Sequence, residues 1–358
     1  MPNEPSPVAI VGAGPTGIAC AIELQRRSVP AVCYDKGGIL DTIYRFPEEM
    51  RWFSTRDLLD IAGVPFGSPD AHPTRLESLA YYRGVAERFG VRVEAESRVE
   101  RIAPRPGGGV RVEGESRGRA FACDAPAAVL ATGFFSNPRR LGVPGEDLPH
   151  VHARYVSGYP YYGRDVVVVG AKNSASEAAL DLYRHGARVT LVVRGAAISD
   201  RVKYWIRPDL ENRIKAGAIR ALFATRVVAI TPDAVRVSGP EGESEVRAHA
   251  VFPLIGYVPD FALMERCGVR LEGPLRVPAH DPETLESNVP GLFLAGAILG
   301  GEEISRIFIE NSRHHAAMIA GAIASRMGDT SAAPVGPAES RDALDPAAAS
   351  RRAGAEGE

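Results

Sequence analysis

A strand, a glycine turn and a helix occur twice in this chain, far apart, and that repeat constrains the fold more than any other feature. The apolar run Val8–Val11 leads into Gly12-Ala13-Gly14-Pro15-Thr16-Gly17, and residues 18–27 then carry Ile18, Ala21, Ile22 and Leu24 at helical spacing. A second apolar run, Ala31–Tyr34, ends at Asp35. Residues 166–169 form a second strand, residues 170–175 its turn, residues 176–185 a helix, and residues 189–193 a strand ending at Arg194. Each is a βαβ opening.

The first turn has the Gly-x-Gly-x-x-Gly spacing of a dinucleotide site. Gly12 permits the tight turn, Gly14 lets the backbone approach a pyrophosphate, and Gly17 lets helix and strand pack closely. The helix N-terminus faces the phosphates with free N–H groups and a positive dipole end. Asp35 stands where a carboxylate accepts hydrogen bonds from the ribose hydroxyls. In the second turn, Gly170-Ala171-Lys172-Asn173-Ser174-Ala175, lysine and alanine replace the second and third glycines. Alanine satisfies close packing. Lys172 is read as pointing outward toward phosphate. Arg194 ends the following strand in place of an acid, with Arg201 and Lys203 close behind. A 2′-phosphate needs cations and repels a carboxylate, so this site is expected to take NADPH.

Between and after these units, residues 76–89 read as a helix and 91–95 as a strand. Residues 99–103, 110–113 and 120–123 read as a small antiparallel sheet around a Gly-rich turn, and residues 127–131 as a buried strand ending in Thr132-Gly133. A hairpin region spans 226–237 and 245–252. Residues 291–295 read as a strand returning to the first unit, and 304–326 as one long helix. The expected architecture is α/β: two Rossmann-like dinucleotide-binding domains, with the NADPH domain (159–251) inserted into a discontinuous FAD domain (1–158 and 252–327). Residues 328–358, rich in Ala, Pro, Gly and charge and without an aromatic residue, read as a flexible tail.

Bulk properties exclude several function classes. The net charge is -2, which offers no reason to expect nucleic acid or a membrane surface. No apolar run spans a bilayer, and the first residues lack the pattern of a signal peptide, so a cytoplasmic location is expected. The four cysteines form no Cys-x-x-Cys pair and no metal spacing, and no metal is expected.

Several stretches resemble thioredoxin-reductase-like flavoproteins, and more specifically the YpdA family of bacillithiol disulfide reductases. They include Ala131-Thr132-Gly133, Phe53-Ser54, Tyr81-Tyr82-Arg83, Gly170-x-Lys172-Asn173-Ser174-Ala175, Arg194-Gly195, Ile255-Gly256-Tyr257-x-Pro259-Asp260 and Ile307-Phe308-Ile309-Glu310-Asn311. The resemblance runs from about Val8 to Ala324. It implies FAD at Gly12, Gly14, Pro15, Thr16, Gly17, Asp35 and Lys36, with Thr132, Gly133, Gly296 and Ala297 beside it. Tyr44, Phe53 and Ser54 are expected to line the flavin ring. It implies NADPH at Gly170, Lys172, Asn173, Ser174, Ala175, Arg194, Arg201 and Lys203, and a homo-oligomer. Hydride would pass from NADPH to FAD and on to a small-molecule disulfide or another acceptor.

The chain departs from the pattern at two places. The thioredoxin-reductase Cys-x-x-Cys is absent from residues 156–162, which removes a dithiol relay there. The family cysteine of the first glycine turn is Thr16 here; Cys20, one helical turn on, is a weak candidate thiol and reads first as a small residue buried against the sheet. The competing readings are a cysteine-independent NADPH reductase of a ferredoxin, flavodoxin or quinone-like acceptor, a flavin monooxygenase, and a nucleotide-sensing module. His314 and His315 read as exposed or core histidines before acid/base groups.

Overall fold

Short apolar runs separated by glycine turns and helices favour parallel sheets buried on both faces. The computed structural model describes residues 6–304 and 306–328, and in it two such sheets form. The first has five parallel strands in the order Leu292–Leu294, Ala128–Leu130, Val8–Val11, Ala31–Tyr34 and Val93–Glu94. The second has four, in the order Arg220–Leu222, Arg188–Val192, Asp165–Val169 and Ala250–Pro253. Two three-stranded antiparallel sheets accompany them: Ser97–Pro104, Val110–Ser116 and Arg119–Ala125 beside the first, and Arg226–Ile230, Ala234–Gly239 and Gly242–Arg247 beside the second. The tail expected over 328–358 lies outside the described residues apart from Gly328.

The order of strands positions the site. Val8–Val11 is followed on one side by Ala31–Tyr34, and the chain later returns to its other side with Ala128–Leu130. Its carboxyl end is therefore a topological switch point, where open α/β sheets leave a crevice. Asp165–Val169 stands in the same relation to Arg188–Val192 and Ala250–Pro253. Both glycine turns leave the sheet at these points. The repeat extends to single bonds. The Ala13 carbonyl accepts the Leu40 N–H at 3.0 Å, and the Ala171 carbonyl accepts the Ser199 N–H at 3.0 Å.

The chain crosses between the sheets twice, and the crossings hold each other. Arg139 donates its N–H to the Gly256 carbonyl, Val258 donates to Asn137, and Phe135 stacks on Tyr257 with ring centroids 4.2 Å apart. Pairing of Ala250–Pro253 with Asp165–Val169 carries the second sheet past the expected boundary at residues 251–252, because the apolar run of that strand continues through Phe252. The expected helix over 304–326 is two helices, Ile309–Ser312 and His315–Arg326. Between them Arg313 and His314 form a turn; at Ser312 the Phe308 carbonyl accepts both the backbone N–H at 3.1 Å and the side-chain hydroxyl at 2.6 Å.

Candidate functional site

The first turn assigns a different physical task to each glycine. Gly12 has φ +111°, and a Cβ there would lie 2.5 Å from the Ala131 carbonyl oxygen. A Cβ on Gly17 would lie 1.9 Å from the Gly12 carbonyl oxygen. Both positions are reserved by backbone packing. Gly14 has an ordinary φ of -83°, and a Cβ there would meet nothing within 4 Å. Gly14 is the helix N-cap, where glycine is tolerated, and the open space around it leaves a cradle that a side chain would fill. Pro15 follows at the first helical position of Pro15–Gln25, where its missing N–H costs nothing. The N–H groups of Thr16 and Gly17 lie in the first turn of the helix and have no intrahelical partner.

Asp35 ends the second strand and is built into the turn. Its Oδ2 accepts the Ala13 N–H at 2.8 Å and its Oδ1 accepts the Gly37 N–H at 2.9 Å. Burial pushes this carboxyl up, and the two N–H bonds pull it back toward the charged form. Each oxygen keeps a lone pair for a further donor. Lys36 lies exposed beside it. Thr132 and Gly133 continue from the strand that pairs with Val8–Val11, so the Thr132 backbone borders Gly12.

Gly296 and Ala297 begin a 3-10 turn, Gly296–Gly300, that packs on the start of the first helix. Gly296 has φ +78°, and a Cβ there would lie 3.1 Å from Thr16 Oγ1. Its N–H donates to His315 Nδ1 at 3.2 Å. Burial, with His314 and His280 nearby, pushes His315 down to about 3, so the ring is neutral and Nδ1 is free to accept. His315 is thus a core histidine with a structural hydrogen bond. Its place opposite Gly296, nineteen positions back, has no local signature.

Three side chains expected at the flavin ring have these surroundings. Phe53 stacks on Trp205 of the second unit, ring centroids 5.7 Å apart, and Ser54 hydrogen-bonds the Glu310 carboxylate. Tyr44 is exposed, its backbone following Leu40 and so the first turn. Cys20 is a buried core residue and not a working thiol. It is fully buried on the helix, and burial, with the Glu23 charge, pushes its thiol up to about 12. At neutral pH it is neither a thiolate nor accessible. The helical period that puts Cys20 one turn beyond Thr16 also turns it into the core. Cys33 and Cys267 are likewise raised by burial, and all four thiols are free.

In the second turn Gly170 has φ +142°, and a Cβ would lie 2.6 Å from the Leu254 carbonyl oxygen and 2.9 Å from Ala175 Cβ. Alanine at 175 therefore just fits. Lys172 is exposed in extended backbone, φ -108°, which any residue adopts, so no glycine is required. Ser174 is exposed on the first helical turn. Asn173 ties the turn to the loop after Arg194: its Oδ1 accepts the Lys203 N–H at 2.8 Å and its Nδ2 donates to the Arg201 carbonyl at 3.3 Å. Arg194 and Arg201 are exposed. Lys203 is the exception. Its ammonium is buried and donates to Glu177 and to the Arg51 carbonyl, so its bonds are made within the protein.

Comparison with known proteins fits this geometry. Residues 9–296 match the family model described as pyridine nucleotide-disulphide oxidoreductase, and the chain belongs to that family. It is 37% identical over 318 residues to the bacilliredoxin reductase Bdr of Bacillus subtilis (strain 168), covering 88% of this chain and 97% of that one. The solved bacillithiol disulfide reductase Bdr (YpdA) from Bacillus cereus superposes with a TM-score of 0.87 at 37% identity, covering 90% of this chain and 100% of the other. A ferredoxin–NADP reductase of Ignicoccus hospitalis is 27% identical over 299 residues, 81% of this chain and 88% of the relative. Thioredoxin reductase from T. acidophilum, at 19% identity and a TM-score of 0.70, shares the fold.

Proposed function

We propose that this member of the pyridine nucleotide-disulphide oxidoreductase family is an FAD-containing, NADPH-dependent reductase that passes electrons to its acceptor without an enzyme thiol. The carrying observation is the pair of glycine turns at two switch points, one followed by the acid Asp35 and the other by the exposed cation Arg194. Bound FAD supplies a two-electron carrier between coenzyme and acceptor. The protein's own part is placement. The Gly14 cradle and the helix N-terminus receive a pyrophosphate, and Asp35 accepts ribose hydroxyls. His315 holds Gly296 against Thr16 at the edge of that site. Arg194 and Arg201 read a 2′-phosphate by charge-assisted hydrogen bonds.

The acceptor is a small-molecule disulfide such as the Bdr relatives' names record, reduced as NADPH + H⁺ + RSSR → NADP⁺ + 2 RSH. Thr16 stands in the turn, and Cys20 is buried and protonated. A hydroxyl cannot form a mixed disulfide, so exchange does not start at residue 16. The second reading, an acceptor such as ferredoxin that needs no thiol chemistry, draws on the same observation and on the Ignicoccus hospitalis relative. Among the described residues no helix is long and apolar enough to cross a membrane. The free cysteines suit a reducing compartment, and we assign the protein to the cytoplasm.

The test is direct. Purified protein should release FAD on denaturation and be reduced by NADPH in preference to NADH. Disulfide-dependent NADPH oxidation is then compared in the native protein, Cys20→Ala and Thr16→Cys. Turnover lost in Cys20→Ala would overturn the thiol-free route. Absence of FAD after reconstitution would overturn the whole reading.

A further inference from the structure

Lys203 lies in the loop that carries Arg201, yet its ammonium serves a different purpose. It donates to Glu177 Oε1 at 2.5 Å and to the Arg51 carbonyl at 3.0 Å, and it sits 5.7 Å from the centre of the Trp205 ring. Glu177 belongs to the helix of the second unit, one turn beyond Asn173. Arg51 belongs to the irregular stretch that follows the first unit. Two residues on, Phe53 stacks on Trp205 with an interplanar angle of 17°. One short loop is thus held to its own helix through Asn173 and Glu177 and to the opposite unit through an ammonium–carbonyl bond and an aromatic stack.

We propose that Lys203 is a positioning residue for electron transfer: it docks the coenzyme-reading loop of the second unit onto the first at Arg51 and Phe53. This rests on the function proposed above. The two nucleotide turns stand on separate sheets, so the placement of one unit on the other sets the distance between the groups that exchange hydride. Such a reaction needs those atoms about 3–3.5 Å apart, and small misplacements are costly. A buried ammonium is held only where its bonds are made, because desolvation of an unpaired charge is expensive. Lys203 has a carboxylate on one side of the junction and a carbonyl on the other, so its bonds are complete only when the two units are docked.

The experiment separates docking from coenzyme recognition. In the FAD-loaded full chain, Lys203→Met keeps the aliphatic stem and removes the ammonium. Two quantities are measured: the affinity for adenosine 2′,5′-bisphosphate by titration calorimetry, and the rate of flavin bleaching by NADPH in stopped flow. The bisphosphate affinity should be unchanged while bleaching slows on the order of tenfold or more. Lys203→Arg, which restores the charge, should recover most of the rate. The double variant Lys203→Met with Glu177→Gln leaves no orphaned carboxylate. It should slow bleaching to a similar degree, which keeps the test open if the single variant folds poorly. Bleaching at the wild-type rate in either methionine variant would overturn the proposal. So would a loss of bisphosphate affinity equal to the loss of rate, which would make Lys203 a phosphate reader. Absence of flavin from the unaltered protein would instead sink the functional reading on which the proposal stands.

Discussion

Gly17→Ala and Gly14→Leu should separate the packing role of the first turn from its binding role. Alanine is the better helix former, by about 1 kcal/mol, so intrinsic propensity alone expects Gly17→Ala to stabilise the protein. Packing opposes this. A Cβ at residue 17 would lie 1.9 Å from the Gly12 carbonyl oxygen, and comfortable C···O contacts begin near about 3.3 Å, so helix and turn must part by about 1.4 Å. Both sides of the clash are backbone, and no side chain can swing away. Overpacking of this kind costs about 1–3 kcal/mol and occasionally more, which outweighs the propensity gain over most of that range. At about 2–4 °C per kcal/mol for domains of this size, the melting temperature of Gly17→Ala should fall by several degrees. Gly14 has φ -83° and open space, so Gly14→Leu should cost the fold no more than about 1 kcal/mol while closing the cradle to a pyrophosphate. Thermal melts of the apo-proteins by circular dichroism exclude the contribution of bound nucleotide. Flavin retention is then read from absorbance after reconstitution. A Gly17→Ala protein that melts at or above the wild type would refute the packing argument. A Gly14→Leu protein that retains FAD as the wild type does would refute the cradle.

Three further outcomes follow from the same structure. Arg194→Ala should cost NADPH about 1.5–3 kcal/mol, the scale of a hydrogen bond to a charged group, and leave NADH almost unchanged, as steady-state kinetics with both coenzymes would show. Equal losses would mean that Arg194 does not read the 2′-phosphate. Cys20, buried and pushed up to about 12, should resist iodoacetamide at pH 8 until the protein is unfolded, and rapid labelling of this thiol in the native state, located by mass spectrometry, would contradict its place in the core. His315 is neutral in the folded protein and is held down to about 3, whereas an unfolded histidine takes a proton below about pH 6.5. Its contribution therefore lowers stability as pH falls from about 6.5 toward 3, by roughly 2–3 kcal/mol at pH 4.5. His315→Asn keeps an acceptor for the Gly296 N–H without a titrating ring. Denaturant melts at pH 7 and 4.5 should show a smaller acid loss in that variant, and equal losses would assign the acid limb elsewhere.

Much of the fold is local in origin and so was legible in the chain. Val8–Val11 with Gly12, Gly14 and Gly17, and residues 166–169 with Gly170 and Ala175, mark two βαβ units because strand, turn and helix follow one another without a gap. The apolar run at Leu292–Leu294 announced a further buried strand, and it pairs with Ala128–Leu130 in the first sheet. Composition alone showed four cysteines without a paired spacing. Asp35 and Arg194 could be placed at strand ends because strand length and charge are both written in order along the chain.

Direction and partnership were another matter. Nothing adjacent in sequence distinguishes Arg201, which is exposed, from Lys203, which turns inward to Glu177 and to the carbonyl of Arg51, 152 positions away. Cys20 is one helical turn from Thr16, and only the packing of that helix decides that its thiol faces the core. The break at Arg313 and His314 interrupts a stretch that periodicity reads as one helix. By itself the sequence determined two dinucleotide folds, the glycines that each turn demands and the charge that ends each second strand. These depend on backbone sterics and on neighbours a few residues apart. The tertiary structure alone decided which cations are exposed and which is buried, which thiol is sealed, and how Lys203, Phe53 and Trp205 join the two units. Those contacts depend on desolvation and on distances between segments whose separation along the chain carries no information about their approach in space.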